Sequence, residues 1–279
     1  MKKPLFEKVA IVGLGLLGAS IGMGIKKRSL AREVCGFFRD EAKIKKAVRR
    51  NAVDTGTIHL APAVKNADLI ILCSPTDSII ALLKKLKSLK CRALITDIGS
   101  TKTEIVNAAR GLNFVGGHPL AGSEKSGIDF AHPGLFEKNP CILTTDHASV
   151  ASFRKVEQLW KRLGARTLAM KADKHDRILS FTSHLPHAIA FALITAVPAE
   201  MICLSAGGLK DTTRIAASNP DLWSGIFLSN RKDVLRSLSV FEKSLRRLKK
   251  AISGKQKNNL LRFLHQAGDK RNSCLNTSL

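Results

Sequence analysis

The sequence predicts an α/β protein, with a doubly wound parallel sheet in residues 1–170 and an all-α part in residues 171–279. Three observations predict it. Short β-branched runs alternate with amphipathic helical ones as far as about residue 170, which is the rhythm of parallel β-α-β units. Gly13, Gly15 and Gly18 follow the run VAIV in G-x-G-x-x-G spacing, the mark of a first strand-to-helix turn that holds a dinucleotide. From about Lys171 the strand signals stop and helical periodicity continues to the end.

The first strand candidate, VAIVG, lies behind MKK, and a basic start before an apolar run is also how a secretion signal begins. The glycine spacing decides for the nucleotide. Gly13 permits a tight turn, Gly15 lets backbone approach a pyrophosphate and Gly18 lets helix pack on strand, with Leu16 and Leu17 opening the helix whose N-terminus faces the phosphates. The second candidate, EVCGFF, ends where an NAD site usually carries an acid on the ribose hydroxyls. Phe38 stands there instead, followed by Arg39. A guanidinium pairs with the 2′-phosphate that a carboxylate repels, so NADP is expected over NAD, with Asp40 as the residue that could still play the acid's part.

The candidates ADLIILCSP and RALITDIGS carry Ser74 and Ser100 at their carboxyl ends, and NFVGGHPL and CILTTD complete the set, with helical patterns such as DSIIALLKKLKSL between several of them. Ligands of doubly wound sheets lie beyond the carboxyl ends of the strands. Ser74 is therefore expected against the cofactor. Ser100 is either a site residue or the N-cap of a helix begun by STKTE. In residues 116–127, GGHPLAGSEKSG, six of the twelve are Gly, Pro or Ala, so the backbone is shaped closely around something. His118 and Glu124 are its notable polar groups, and His118 is either catalytic or a hydrogen-bonded core residue.

In the helical part, His184 and His187 stand three apart on one face beside Pro186. No carboxylate or thiolate completes a metal site there, and no metal is expected. Gly207, Lys210 and Arg214 in GGLKDTTR suit an anionic substrate, the alternative being a polar turn with Arg214 in a structural salt bridge. The apolar stretch LPHAIAFALITAVPAEMICLSAGG contains His187, Pro198 and Glu200, so a buried helix pair is expected and not a membrane span. Val234, Leu238, Phe241, Leu245, Leu248 and Ile252 alternate steps of four and three. That seam needs a partner helix, and a second copy of the chain would supply it, giving a homodimer.

The charge balance, 46 Lys+Arg against 22 Asp+Glu, gives a formal +24, which first suggests nucleic acid. Yet the basic residues are spread over the whole chain, aromatics are 5% and tyrosine is absent, whereas stacking platforms need aromatics. Solvated basic faces that draw in small anions are the expected reading. The six cysteines form no C-x-x-C pair, which fits a reducing cytoplasm.

Taken together, GLGLLGASIG, DIGSTK, GGHPLAGSEKSG, SHLPHAIAFAL and GGLKDTTRIAASNPDLW, in this order and spacing, closely resemble the prephenate/arogenate dehydrogenases of tyrosine biosynthesis. The resemblance extends to about Arg271. It implies a Rossmann-type domain joined to an all-helical dimerisation domain, and oxidative decarboxylation of a cyclohexadiene that turns into a phenol as hydride passes to NAD(P) and carbon dioxide leaves. On these motifs His118 resembles the base that accepts the hydroxyl proton, and Ser100 the residue that orients it and touches the nicotinamide or substrate. Arg214 resembles the ligand of a substrate carboxylate, with His187, Ser183, Lys210, Gly207 and Glu124 lining the pocket and Trp223 near it. An anion near the side chain would favour arogenate through its ammonium. Asp176 is a candidate, or else an exposed helix charge paired with Arg177 or Lys174. Two readings compete: a β-hydroxyacid-type dehydrogenase using Lys210, and a basic nucleotide- or nucleic-acid-binding protein without catalysis. The intact His118 and Arg214 motifs argue against both.

Overall fold

The computed structural model describes residues 3–121 and 127–275. Strands β1 (Phe6–Val12), β2 (Ala31–Phe37), β3 (Thr55–Thr57), β4 (Leu69–Leu72), β5 (Leu94–Asp97) and β6 (Phe114–Val115) form one parallel sheet in the order β3-β2-β1-β4-β5-β6. This is the Rossmann order, in which the winding reverses between β1 and β4 and opens a crevice at the strands' carboxyl ends. Helices α1 (Leu16–Lys27), α2 (Glu41–Arg49), α3 (Leu60–Val64), α4 (Thr76–Ser88) and α5 (Thr103–Ala108) lie between the strands in sequence.

Both sheet faces are covered, which is why the central strands read as unbroken apolar runs. Val9, Ile11, Leu69 and Ile71 pack into one core cluster, while Ala10, Val12, Ile70 and Leu72 alternate into the other. The stretch NFVGGHPL, expected as one strand, is two. After β6 the chain leaves the large sheet, and β7 (Gly117–Pro119) pairs antiparallel with β8 (Pro140–Thr144), which runs parallel to β9 (Arg166–Met170). The physical reason for the break is the buried Asp97 carboxylate, which takes the Gly117 N–H at 3.0 Å and turns the chain aside. Helix α6 (Val150–Arg162) joins β8 to β9, and β3 and β9, absent from the sequence expectations, are a three-residue edge strand and a largely exposed one.

Helix α7 (Ala172–Leu179), a π-helical turn (Ser180–His184) and α8 (Leu185–Ala196) follow without interruption. The widened turn has a local cause: Pro186 has no N–H for the Thr182 carbonyl, and Leu185 N–H reaches back to Ser180 instead. Then come α9 (Ala199–Ile202), α10 (Gly207–Thr213), a 3-10 turn (Arg214–Ala217), α11 (Pro220–Ser229), α12 (Arg231–Ser253) and α13 (Lys257–Leu275). The segment Ala172–Ala196 is long and apolar enough to cross a membrane by length and composition alone. The expected buried helix pair is not formed within one chain: Ala190 is the one buried residue of α8 and α9 has none. Apolar residues surround α8 on all sides, and the few elements beside it leave most of them only half-buried.

The chain divides into two compact units, a larger one up to Arg231 and a smaller one from Lys232. Helices α7 to α11 thus belong with the sheet, although the periodicity changes at 170/171. In the smaller unit Val234 is buried, Leu238, Phe241 and Leu248 are half-buried, and Leu245 and Ile252 remain exposed.

Candidate active site

The turn after β1 is built for a phosphate. Gly13 has φ +107, and a Cβ there would lie 2.3 Å from the Cys73 carbonyl oxygen; a Cβ on Gly18 would lie 1.9 Å from the Gly13 carbonyl oxygen. Strand and helix therefore meet at a separation only glycine allows. Gly15 caps α1, has open space where its side chain would be, and no acid stands in the first turn of that helix. Leu16 and Leu17 are the half-buried first residues of α1. The bare N–H groups there suit the pyrophosphate of a dinucleotide.

Beside it opens a cleft of about 490 Å³, lined among others by Gly13, Phe38, Arg39, Leu60, Ser74 and Asp77. Lys43 Nζ lies 4.9 Å above the Phe38 ring. Asp40 caps α2: its Oδ1 accepts the N–H groups of Ala42 and Lys43 at 2.8 and 3.4 Å. One oxygen of its carboxylate is thus engaged at the helix N-terminus.

At the carboxyl ends of β5 and β7 a buried network fixes the candidate catalytic pair. Asp97, the last residue of β5, accepts the Gly99 N–H at 2.7 Å on Oδ2 and the Gly117 N–H on Oδ1, and pairs with the fully buried Lys102 ammonium. One carboxylate thus ties the loop that carries Ser100 to the strand that carries His118. Ser100 is half-buried and is not a helix cap; α5 starts at Thr103, with Lys102 at the N-cap. The cap comes from far along the chain. Asp176 Oδ1 accepts the Lys102 N–H and Oδ2 the Thr103 N–H, both at 2.8 Å.

That overturns both expectations for Asp176. It is neither exposed nor paired with Arg177 or Lys174, and it is 2% exposed with its oxygens already committed. Burial raises its pKa, but the hydrogen bonds from His175 and Thr103 outweigh burial and hold it below the ordinary range. The physical reason is that α5 needs an acceptor at its N-terminus, where negative charge is favoured. His118, half-buried in the middle of β7, has Nδ1 2.8 Å from His175 Nε2, and His175 Nδ1 lies 2.8 Å from Asp176 Oδ1. Burial first, then the charges of His175, Lys102 and His184, place the His118 pKa well below its usual value, so the imidazole is neutral. Lys102 stands out in the sequence beside Ser100 at the end of a strand candidate, but Asp97 and His175 were missed as site residues, because only the fold brings them to one point.

The helical wall carries the remaining candidates. His187, on α8, stacks on Trp223 of α11 at 3.5 Å between ring centroids and 21° between planes, and His184 meets the same indole edge-on. His187 Nδ1 lies 2.9 Å from the Ser183 carbonyl oxygen, and the Arg214 charge, after burial, helps to lower its pKa. Asn230 Nδ2 donates both to the Asp176 carbonyl and to His184 Nδ1, joining this wall to the network below it. Lys210 and Gly207 lie exposed on α10, and no described contact joins them to these rings. Glu124 lies outside the described residues. Among those described, no cluster of three or more His, Cys, Asp or Glu could hold a metal ion.

A neutral imidazole beyond a dinucleotide sheet, joined through His175, Asp176 and Asn230 to a wall that carries His184, His187 and Trp223, suits proton removal from an anionic ring during a cofactor-linked oxidation. The comparisons agree. Residues 21–169 match the family model described as prephenate dehydrogenase, nucleotide-binding domain, and residues 171–266 match prephenate dehydrogenase, dimerization domain. A prephenate dehydrogenase of Lactococcus lactis is 37% identical over 253 residues, 86% of this chain and 69% of that one. The structure of a prephenate dehydrogenase from Aquifex aeolicus, in complex with hydroxyphenyl propionate and NAD+, superimposes with a TM-score of 0.89 at 33% identity, covering 98% of this chain and 99% of that one. An arogenate dehydrogenase of Synechocystis gives a TM-score of 0.82 at 31% identity, with 95% and 99% covered. Matched in tandem by the models of both domains and alike in fold along nearly its whole length, the chain belongs to the prephenate dehydrogenase family.

Proposed function

We propose that this protein oxidatively decarboxylates prephenate, arogenate or both, using NADP in preference to NAD, in the tyrosine branch of aromatic amino acid synthesis. The observation that carries the reading is His118: a neutral imidazole on β7, beside the carboxyl end of β5 to which Gly117 is tied, backed by a buried hydrogen-bond network. Gly13, Gly15, Leu16, Leu17 and Gly18 would hold the pyrophosphate, with Phe38, Arg39 and Ser74 at the adenosine end. The nicotinamide, when bound, supplies the electron acceptor for the oxidation.

The chain's own residues do the rest. His118 accepts the ring hydroxyl proton, and Ser100 orients that hydroxyl. Arg214 pairs with a substrate carboxylate, while His187, Ser183, Lys210, Gly207 and Glu124 line the remaining pocket. Aromatisation drives the loss of carbon dioxide, so the protein needs chiefly to position the ring and take one proton. Arg39 supports NADP by charge, since Asp40 is occupied as a cap and Phe38 stands where an acid would face the ribose. The working form in this reading is a cytoplasmic homodimer, which supplies cover for the exposed seam residues Leu245 and Ile252 and for α8.

The test is direct. Protein mixed with prephenate or arogenate and either cofactor is followed by reduced-nicotinamide absorbance. Turnover with at least one substrate is expected, and His118→Asn lowers kcat by about 10² or more with cofactor affinity kept. Absence of turnover with both substrates overturns the reading.

A further inference from the structure

An imidazole has two nitrogens, and only an unprotonated one can act as a base. Which nitrogen is bare depends on what the other touches. Here the chain of contacts runs from His118 Nδ1 to His175 Nε2 at 2.8 Å, and from His175 Nδ1 to Asp176 Oδ1 at 2.8 Å. The chain ends on a group with no choice. Asp176 is buried, ionised and already accepting two backbone N–H groups of α5, and a carboxylate is an acceptor only. The hydrogen between it and His175 therefore sits on His175 Nδ1. A neutral His175 then has a bare Nε2, which takes the hydrogen of His118 Nδ1. The proton of neutral His118 is thereby placed, and its lone pair is on Nε2.

We propose that His175 and Asp176 are positioning residues that lock His118 in the Nδ1–H tautomer and so make Nε2 the nitrogen offered to the substrate hydroxyl. The proposal rests on the reading of His118 as the base, and adds to it which atom acts and what compels it.

The surroundings leave the chain as drawn. Lys102 is held by Asp97, and His184 Nδ1 accepts from Asn230, whose amide nitrogen is fixed as a donor by the Asp176 carbonyl. Lys102, His175 and His184 all disfavour a positive charge on His118, as does burial, so the neutral form with a single ring hydrogen is the one to be oriented. His175 is likewise lowered, by burial first, against the opposing pull of Asp176. The same carboxylate caps Lys102 and Thr103, directly after the loop that holds Ser100. One anion sets the position of one candidate catalytic residue and the protonation pattern of the other.

The decisive measurement needs no turnover. In the full-length protein labelled with [15N]histidine, bare ring nitrogens resonate well apart from N–H nitrogens, and the His118 signals are those lost in His118→Asn. Near neutral pH, Nδ1–H with bare Nε2 is expected for His118. A proton on Nε2 of His118 in the wild-type protein overturns the proposal even if the enzyme is fully active. Conversely, if His118→Asn keeps its turnover, the reading of the base fails while the tautomer remains measurable.

Two variants extend the test. In Asp176→Asn the amide can donate to His175 Nδ1, the chain of hydrogens reverses, and kcat falls about 10²- to 10⁴-fold, the scale of a base held in the wrong tautomer. The cofactor KM stays within about twofold, which a general loss of structure would not allow. His175→Gln keeps an oxygen able to accept from His118 Nδ1 and retains kcat within about tenfold, whereas His175→Leu does not. Equal kcat in the Gln and Leu variants overturns the proposal, and this comparison stands should Asp176→Asn fail to fold.

Discussion

Arg39 and Asp176 show how differently two single residues can be read. Phe38 and Arg39 were legible because they follow a strand whose end the glycine spacing locates, and both line the cleft beside the nucleotide turn. Asp176 was not legible. Its partners Lys102 and Thr103 lie 74 and 73 positions away, and nothing in the local pattern distinguishes a helix-surface acid from one buried as a remote cap. The proposed pairing of Arg39 with a 2′-phosphate gives a prediction at this scale. Arg39→Ala raises the KM for NADP about tenfold, the order of one charge-assisted contact, and leaves that for NAD unchanged. Phe38→Asp moves the preference towards NAD. Steady-state kinetics with both cofactors checks each, and an equal effect on the two cofactors would remove Arg39 from 2′-phosphate recognition.

At the scale of the element, β1, β2 and β4 were legible because their doubly covered stretches VAIV, VCGF and LIIL are written as short apolar runs, and β5 from ALIT before its terminal Asp97. The split of β6 from β7 falls at Gly116-Gly117, a breaker inside the run that a single-strand reading passes over, where the Asp97 carboxylate takes the Gly117 N–H. Proline marked the start of α8, but only the coordinates show that the turn before it widens and buries His184. Burial first, then the charges of His175 and His187, bring the His184 pKa down to about 4 against the pull of Asp176. Unfolded, this group titrates near the ordinary value of roughly 6.5. Between these values the unfolded chain holds a proton that the folded chain does not, so stability is complete above the upper value and is lost as the pH falls towards the lower. The urea midpoint is expected to drop between pH 7 and pH 4.5, more steeply because His118 and His175 are lowered too. His184→Gln removes one proton from this dependence, up to about 1.4 kcal/mol per pH unit. An unchanged slope would mean that His184 is charged in the folded protein.

For the whole molecule, the alternation of strand and helix made the Rossmann half plain; one family model ends at residue 169 and the next begins at 171. Compactness divides the chain elsewhere, at Arg231, because α7 to α11 pack with the sheet; a change of periodicity records element type and not association. The seam of α12 was legible from its four-three spacing, and its exposed members Leu245 and Ile252 carry the dimer prediction. Leu245→Glu with Ile252→Glu shifts the protein from dimer to monomer in sedimentation at micromolar concentration. A dimer undisturbed by the pair of changes would place the contact on another surface. The reach of Asp176 from α7 to α5 also bears on how such a protein can be inherited. Severed between residues 170 and 171, the amino-terminal part would keep its nucleotide turn but lose the anion that steers its imidazole. A chain recombined at that junction with an unrelated helical part is expected to bind cofactor without turning over substrate.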